Sequence, residues 1–584
     1  MENLETKRHS LAHIMAAAIK DLWPQAQLAI GPAIENGFYY DIDFQEVKLS
    51  ETDLKTIEKK MSHIIKQNLK FEKTEQNIDE AILKTKVENN PYKLEILEDL
   101  KKEGETTVSF YAIGKFTDLC RGPHIESSLK IKPGSFKLDK IAGAYWRGDE
   151  KNKMLTRIYG LAFKDKAELD AYLQLIIESE KRDHRKLGKE LDLFCFSDLV
   201  GPGLPLFTPK GMVIIYELRN HIETVCRRYG FQKVMTPHLA KIALYELSGH
   251  AKKFSDELFH VSSDKGHEFV LKPVQCPHHT QIYASKTRSY RDLPIKYMES
   301  EKQYRAEKSG EVGGLSRVYA ITVEDGHTFC RLDQVKEEIK ILVNIIKDFY
   351  SALGLWGKHW VSLSVRDYDH PEKYIGEPED WDTCEKMLEE VSKEMGLDAK
   401  RQEGEAALYG PKLDFMFRDS LGKEIQIPTV QVDFATPKRF NLVYTDKDGS
   451  EKNPIMIHRA ILGSYERFLA LIIEHYAGAF PLWLSPVQVK IISVSETHID
   501  TCEKLKQELQ AEDIRVEVDS SNETVGNKIR KAIAEKVPHM LVIGDKEAES
   551  DNLSVRDRGQ NDSRIISKTD FIAELKKNIK DKSL

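Results

Sequence analysis

The stretch Tyr304-Arg-Ala-Glu-Lys-Ser-Gly-Glu-Val-Gly-Gly-Leu-Ser-Arg317 lies near the middle of a 584-residue chain. Its first residues end a predicted strand, a glycine-rich loop runs from Ser309 to Gly314, and Arg317 begins a return strand. Two arginines beside a flexible loop can hold a polyphosphate, because a planar guanidinium binds phosphate oxygens bidentately. Taken alone, the stretch fits a surface hairpin with solvated arginines equally well.

A third arginine stands far along the chain, in Gly463-Ser-Tyr-Glu-Arg467-Phe468. The apolar spacing predicts a helix over 458–477 that carries Arg467. With the two arginines of the loop, it gives the three cationic points that a triphosphate clamp needs. Further helices are predicted at 211–229, 334–353 and 380–396.

Alternating strands surround these motifs. Lys412–Arg418 alternates apolar and polar residues, which favours antiparallel pairing over a buried parallel sheet. Before residue 180, an apolar pattern from Leu11 to Leu22, a helical stretch at 51–70 and short strands around 107–116 and 154–163 indicate an α+β fold. After Pro486 the order strand, helix, strand, helix, strand (487–495, 497–511, 514–518, 523–536, 539–545) indicates a small α/β unit with a mostly parallel sheet.

We therefore predict an α+β multidomain protein. Its parts are residues 1–178, a solvated helical linker at 179–190, a central domain at 191–485 and a last domain at 486–584.

Composition restricts the class of protein. Hydrophobic residues make up 41% and charged residues 31% of the chain, as in an ordinary globular protein. The net charge of -7 argues weakly against a nucleic-acid binder, although a local basic face suffices for phosphate contacts. The seven cysteines are odd in number and form no CxxC, which is typical of a reducing compartment. No signal peptide and no long apolar run is evident, so we expect a cytoplasmic protein without a membrane span.

Taken together, the motifs resemble those of class II aminoacyl-tRNA synthetases. The strand, loop and strand around Arg305 resemble motif 2, the helix of Arg467 resembles motif 3, and Phe231–Pro237 resembles motif 1. The resemblance implies an antiparallel six-stranded sheet in the catalytic domain. It also implies a homodimer, because motif 1 forms the dimer interface in that class.

Within the class, nearly the whole chain is similar to threonyl-tRNA synthetases. That resemblance implies ligation of L-threonine to tRNA(Thr) with ATP and Mg²⁺, and hydrolysis of mischarged seryl-tRNA(Thr) at a separate N-terminal site. The small N-terminal ubiquitin-like domain usual in the family is expected to be missing, either naturally or by truncation. The phrases that carry the resemblance are Arg182–Leu193, Leu271–Pro277, Asp325–His327, Tyr409–Lys412, Val430–Asp433 and Ile457–Arg459.

A zinc site follows from the resemblance. Cys276, His327 and His458 are far apart in sequence, and spacing alone would leave them as unrelated core residues. The family implies that they bind one catalytic Zn²⁺, with a coordination position left open for substrate. Threonine can bind such a metal through its amino group and hydroxyl, whereas valine lacks the hydroxyl and is rejected.

The remaining catalytic roles are carried over in the same way. Arg305, Glu307, Arg317 and Arg467 are expected to bind ATP, with Arg305 on the α-phosphate and Glu307 reading the adenine. Asp325, Tyr409 and Gln426 are expected to bind threonine, and Arg305, Arg467, Lys412 and His250 to take part in catalysis, His250 as base for the ribose hydroxyl.

The chain departs from the family pattern at three positions. Ile321 stands where an aromatic residue usually stacks on adenine, and Val323 replaces an amide. The lost stacking is expected to weaken ATP binding by about 1 kcal/mol. His278 occupies a position that is more often glycine.

A hydrolytic site is predicted in the first region. Serine differs from threonine by one methyl group, worth only roughly 1–3 kcal/mol, so the zinc site cannot exclude it. His9 and His13 share a helix face, and Cys120 and His124 form a second cluster. By spacing alone these residues are either a metal site or ordinary core. They resemble the editing domain shared by threonyl- and alanyl-tRNA synthetases, as do Lys93 and Asp118; we expect metal-free water activation, and metal binding stays open.

The last region is expected to read the anticodon, since proteins read RNA sequence chiefly in single-stranded loops. The positions that match the family are Asn522, Arg530, Glu547 and Arg556, which without the resemblance would pass as exposed polar residues.

Three alternatives remain. A non-catalytic synthetase-like RNA-binding protein is the main one, with Ile321 and Val323 in its favour. A zinc hydrolase centred on His9 and His13 would need a glutamate after the first histidine, and none is present. A synthetase for proline or serine would not need Cys276, His327 and His458 together.

Overall fold

The computed structural model describes residues 3–308, 310–419 and 422–584, so Ser309 of the glycine-rich loop lies outside the described residues. The chain divides into two compact units, Met1–Ile177 and Glu178–Leu584. The helix Lys166–Arg182 continues through the boundary predicted at 178, and a separate short helix, His184–Glu190, follows it. The predicted linker is therefore the end of one helix and the whole of another.

The first unit has the α+β fold that the sequence indicates. Its first helix, Leu4–Leu22, begins at Asn3, whose side chain accepts a hydrogen bond from the Glu5 amide, and it buries residues 10–19. A five-stranded sheet and a three-stranded sheet complete the unit. The other helices are Glu51–Lys66, Ile78–Val87, Pro91–Lys102 and Lys166–Arg182; the longer strands are Gly37–Asp43, Phe71–Asn77, Thr107–Ile113, Phe116–Leu119, Phe136–Tyr145 and Met154–Ala162.

The second unit is built on one large sheet. Six of its strands are antiparallel to their neighbours, as the class II resemblance implies, and a short parallel strand extends each edge. In spatial order the strands are Gln232–Lys233, Ile295–Tyr304, Ala320–Cys330, Ile455–Ser464, Glu424–Asp433, Lys412–Arg418, Trp360–Val365 and Lys400–Glu403.

Helices cover one face of this sheet. Apolar residues of the strands and of the long helices form one core, which includes Leu218, Leu342, Val430, Ile457 and Phe468. The other face carries polar residues and a smaller apolar cluster that includes Tyr283 and Phe329. The longer helices of this part are Pro209–Arg228, Cys276–Ala284, Val335–Ser351, Pro378–Glu394 and Tyr465–Tyr476.

The helix predicted over 458–477 is wrong in its first third. Residues Ile455–Ser464 form a central strand, and the helix begins only at Tyr465. Apolar residues on both sides of His458 and Arg459 fit a strand buried on both faces as well as a helix, and periodicity cannot separate the two. The change of direction comes at Gly463, which has φ +68°, and at Ser464, whose side chain caps the helix by accepting from the Arg467 amide.

A buried ion pair ties two central strands together on the helix-covered face. Arg459 and Glu324 are almost fully buried and joined through Nη1 and Oε1. The Arg459 guanidinium also lies 4.9 Å from the centre of the Phe231 ring. It crosses Gly326, where any side chain would place a Cβ atom 2.5 Å from the Arg459 Nε.

The last domain confirms the predicted α/β order. Val489–Ser493 pairs in parallel with Val516–Asp519 on one side and His539–Ile543 on the other, and two antiparallel strands extend the sheet. Those two strands are Asn552–Asp557 and Arg564–Ser567; the longer helices are Ile499–Ala511, Val525–Ala534 and Lys568–Asp581. Across the described ranges of both units, no helix is long and apolar enough to cross a membrane.

Candidate functional site

Strand pairing brings the three predicted metal ligands together. Ala320–Cys330 and Ile455–Ser464 pair in a register that sets His327 directly opposite His458. Cys276 is the first residue of the helix Cys276–Ala284. The ligand atoms of the three residues lie within 4.8 Å of one another, and all three residues are buried. One ion can bridge donors at this spacing.

Neighbouring side chains fix the orientation of both histidines. His327 Nδ1 lies 2.8 Å from His279 Nδ1, and His279 Nε2 lies 3.2 Å from a Glu299 carboxylate oxygen. His458 Nε2 is 2.8 Å from Asp433 Oδ2. The remaining nitrogens, His327 Nε2 and His458 Nδ1, face each other at 3.0 Å. Such partners fix the ring orientation and the tautomer of metal ligands.

Burial favours the neutral forms of Cys276 and His327. It raises the pKa of the Cys276 thiol well above its usual value, and the nearby Asp325 and Asp433 carboxylates raise it further. Burial also lowers the pKa of His327 far below its usual value. One cysteine and two histidines suit a borderline-soft cation such as Zn²⁺, which would bind the thiolate and release its proton.

Polar residues line the sheet beside the metal ligands. Asp414 accepts hydrogen bonds from Lys412 Nζ at 2.6 Å and from Gln426 Nε2 at 2.7 Å. The Tyr409 ring stacks on His458 at 4.8 Å between centroids. Of the residues predicted to bind threonine, Tyr409 and Asp325 adjoin the metal ligands, and Gln426 is held with Lys412 by the Asp414 carboxylate.

His250 also lies next to this group. It is buried, its Nδ1 is 2.8 Å from Ser248 Oγ, and its Nε2 is 4.0 Å from Cys276 Sγ. His278 is buried as well, and among the described residues neither ring nitrogen has a hydrogen-bond partner.

The motif arginines are arranged around the loop that follows Tyr304. Arg317 pairs with Glu307 at 2.6 Å and with Glu311 at 2.8 Å, so one guanidinium bridges two carboxylates. The Arg467 side chain is exposed, yet desolvation by surrounding atoms, together with the like charge of Arg317, lowers its pKa. A tri-anionic ligand would relieve that repulsion between the two arginines.

Ile321 and Val323 lie on the site face of their strand. Their neighbour Thr322 points the other way, where its amide and hydroxyl both bond to the buried Glu466. Since side chains alternate along a strand, Ile321 and Val323 share a face with Asp325 and His327.

The first unit holds a second cluster. Cys120 Sγ lies 3.2 Å from His9 Nε2 and 3.2 Å from His124 Nε2, and these three residues also could hold a metal ion. His13 is buried beside them, its ring 4.9 Å from that of His124. Burial lowers the pKa of His13 to about 4 and that of His124 to about 2, so both are neutral near pH 7.

A buried ion pair borders this cluster. Lys93 Nζ lies 2.9 Å from Asp118, whose other partner is the hydroxyl of the buried Tyr40. The pair, His9, His13 and Cys120 all line a cavity of about 570 Å³ with mostly apolar walls. A water and an ester can thus meet a lysine, a carboxylate and neutral histidines in one cavity.

Comparison with known proteins identifies three domain families along the chain. Residues 259–476 match the model described as tRNA synthetase class II core domain (G, H, P, S and T), 488–578 match an anticodon binding domain, and 108–159 match the threonyl and alanyl tRNA synthetase second additional domain. Threonine–tRNA ligase of Geobacillus sp. (strain WCH70) is 47% identical over 580 residues, which cover 99% of this chain and 89% of the relative. The chain belongs to the threonine–tRNA ligase family.

Other members support the assignment. Threonine–tRNA ligase of Gloeobacter violaceus is 45% identical over 585 residues, covering 99% of this chain and 93% of the relative. The solved RNA binding domain of threonyl-tRNA synthetase from Cryptosporidium parvum Iowa II is 34% identical with a TM-score of 0.64, and the match covers 68% of this chain and 98% of that one.

The four residues predicted to read the anticodon are spread over the last domain. Asn522 is exposed after one parallel strand and Glu547 follows another, so both stand at the carboxyl edge of the sheet. Arg530 is exposed on the helix Val525–Ala534. Arg556 lies on an antiparallel strand opposite Met540.

Sequence reasoning missed the residues that support the metal ligands. His279, Glu299, Asp433 and Asp414 were given no role, although Asp433 closes the quoted phrase Val430–Asp433. A buried acid in an apolar strand was the available signal, because such a group needs a partner.

Removing one metal ligand should remove the metal. Because a serine hydroxyl stays protonated and binds metal poorly, we expect Cys276→Ser to lower the metal content of the purified protein by one ion per chain. Inductively coupled plasma mass spectrometry measures this, with Cys195→Ser, an exposed cysteine, as the matched control. Equal metal content in the two variants would contradict the site.

Proposed function

We propose that this enzyme activates L-threonine with ATP, transfers it to tRNA(Thr) and hydrolyses seryl-tRNA(Thr) in its first unit. One observation carries the proposal: the ligand atoms of Cys276, His327 and His458 lie within 4.8 Å of one another on the sheet face that also holds Asp325 and Tyr409. The names and high identities of the relatives point the same way.

ATP binding falls to the motif residues. Arg305 would neutralise the α-phosphate as the threonine carboxylate attacks, and Arg317 and Arg467 would hold the distal phosphates, with Mg²⁺ sharing the charge. Because Glu307 and Glu311 already hold Arg317, nucleotide binding must loosen at least one of these contacts. In-line attack needs alignment more than proton transfer, so positioning does most of the work.

Threonine selection falls to the buried metal site. Cys276, His327 and His458 would hold a zinc ion that stays open to substrate, and threonine could bind it through both its amino group and its hydroxyl. Asp325 lies beside these ligands and can accept the hydroxyl proton; its Oδ1 is 3.9 Å from His327 Nε2. Gln426 and Tyr409 close the pocket, and His250 is placed to take a proton from the tRNA ribose.

Serine passes this selection, since it keeps the hydroxyl. The cavity of the first unit supplies the correction. Lys93 and Asp118 would hold the ester end of seryl-tRNA(Thr), and His9, His13, Cys120 and His124 would orient the attacking water. The last domain would bind the anticodon loop through the four residues named above.

The non-catalytic alternative is not favoured. The arginines and metal-ligand residues that ligation needs are all present, and Ile321 and Val323 remove a stacking surface and an amide without removing a charged group. Seven free cysteines suit action in the cytoplasm.

An exposed apolar stripe supports a homodimer. Met212 and Tyr216 lie one turn apart on the helix Pro209–Arg228, and Met235 follows it; they are 47%, 64% and 82% exposed. Exposed apolar residues of this size often mark an interface, and Met235 belongs to the segment Phe231–Pro237 that resembles motif 1 and follows this helix.

Amino-acid-dependent ATP–pyrophosphate exchange tests the ligase reaction. We expect exchange with threonine, weaker exchange with serine, and valine rejected by about 10⁴-fold, because valine leaves the polar site unpaired. Arg305→Met should lower the threonine rate by about 10²–10³-fold, while Arg291→Met on the surface should not. No exchange with any amino acid in folded, metal-loaded protein would favour the RNA-binding alternative.

Deacylation of seryl-tRNA(Thr) tests the editing cavity. Lys93→Met should slow hydrolysis by about 10–100-fold, because the ester loses a positioning cation, and should leave threonine activation unchanged. Lys101→Met is the matched control, since Lys101 is exposed on the same helix and pairs only with Asp79 at 2.5 Å. Equal hydrolysis rates in both variants would rule out the cavity as the editing site.

Sedimentation velocity tests the dimer. The wild-type protein should sediment as twice its 67.0 kDa mass, and Tyr216→Glu should shift it toward the monomer by burying a charge in the contact. Tyr145→Glu, at a tyrosine that is 41% exposed in the first unit, should leave the mass unchanged. A monomeric wild-type protein at micromolar concentration would contradict the proposal.

A further inference from the structure

One arginine of the last domain makes most of its contacts with the catalytic domain. Arg515 precedes the strand Val516–Asp519. Its Nη1 bonds to Glu217 Oε1 at 2.7 Å, and Glu217 lies on the helix Pro209–Arg228. Its Nη2 bonds to the Trp483 carbonyl at 2.7 Å and its Nε to the Ser485 carbonyl at 3.0 Å. Every guanidinium nitrogen thus has an acceptor outside its own domain.

Gln488 makes further contacts to residues 482–488, the segment that joins the catalytic domain to the last domain. Its side chain is fully buried, its Nε2 donates to the Leu482 carbonyl at 3.0 Å, and its Oε1 accepts from the Arg515 amide at 2.9 Å. The Gln488 amide in turn donates to the Arg515 carbonyl at 2.8 Å. Residues 482–488 therefore form several hydrogen bonds with Arg515, which also binds Glu217 on the helix Pro209–Arg228.

The helix Pro209–Arg228, which Arg515 contacts through Glu217, also contacts a strand of the predicted ATP site. Arg219, two residues after Glu217, donates from Nη2 to the Ser300 carbonyl at 3.0 Å. Ser300 belongs to the strand Ile295–Tyr304, which leads directly into Arg305. The same helix thus contacts the strand of the catalytic arginine and the last domain within three residues.

We infer that Arg515 is a positioning residue that fixes the last domain on the catalytic domain, so that a tRNA bound at its anticodon delivers its 3′ end in register with the activated amino acid. The inference rests on the proposed function, because only the reaction of a substrate that contacts both domains depends on their relative orientation. Threonine and ATP bind within the catalytic domain alone.

The geometry explains why arginine is required. Three acceptors lie around one planar guanidinium, each bonded to a different nitrogen. The donors of a lysine ammonium all lie on one nitrogen, so a lysine at this place cannot reach all three acceptors. Glu217 and Arg515 have side chains 24% and 22% exposed, so the pair is partly shielded from water and less weakened by it than a surface pair. Misplacing reacting groups by about 1 Å can cost about 10²-fold in rate.

The test compares two reactions of one enzyme. In Arg515→Met we expect ATP–pyrophosphate exchange with threonine to stay within twofold of wild type, while kcat/KM for tRNA aminoacylation falls by about 10–100-fold. Arg515→Lys should behave like Arg515→Met. Arg564→Met is the matched control: Arg564 also binds two side chains, Asp557 and Glu574, but both belong to its own domain, and aminoacylation should stay near wild type.

Hydrogen exchange measured by mass spectrometry reads the contact itself. Arg515→Met should lose amide protection in residues 482–489, whereas Arg564→Met should keep it. Wild-type aminoacylation by Arg515→Met, an equal fall of both reactions, or unchanged protection would each overturn the inference. Failure of the proposed function is distinguishable, since the wild-type enzyme would then show no ATP–pyrophosphate exchange with threonine. In that case the amide protection of residues 482–489 would decide the role of Arg515.

Discussion

The pairing of Ala320–Cys330 with Ile455–Ser464 is the constraint on which the catalytic site depends. It sets His327 opposite His458 on one face and joins Glu324 to Arg459 on the other. The register shifts between Glu324 and Asp325, so an irregularity of the ladder lies directly between the ion pair and the metal ligands. A buried pair is costly to break because it leaves an uncompensated charge, which disfavours any slip of these strands. Gly326 is needed at this point, since a side chain would collide with the Arg459 guanidinium.

Much of this could be predicted from the sequence, for identifiable reasons. The three-residue metal cluster and the arginines were found through a family resemblance and not through spacing, because Cys276 and His458 are distant in the chain and meet only through the sheet. The strand–helix order after Pro486 was readable from periodicity, since each element there is short and bounded by turn residues.

The errors have physical causes as well. The run from Ile455 to Leu462 is buried on both faces because it is central in the sheet, and a central strand loses the alternation that identifies strands. His279, Glu299 and Asp433 were overlooked because their role is to hold other side chains, and a supporting contact leaves no local pattern. Arg515 is of the same kind: its partners are two carbonyls and one glutamate about three hundred residues away.

The two compact units of the chain divide the proposed rejection of valine and the proposed correction of serine between them. In the proposed function, discrimination against valine lies at the buried centre of a sheet, where changes endanger the fold, whereas correction of serine lies in a unit with its own core. Loss of the first unit would allow one error at threonine codons, the incorporation of serine. The proteome would then carry serine at threonine positions and almost no valine, so the pattern of misincorporated residues in a cell would itself report which of the two units had failed.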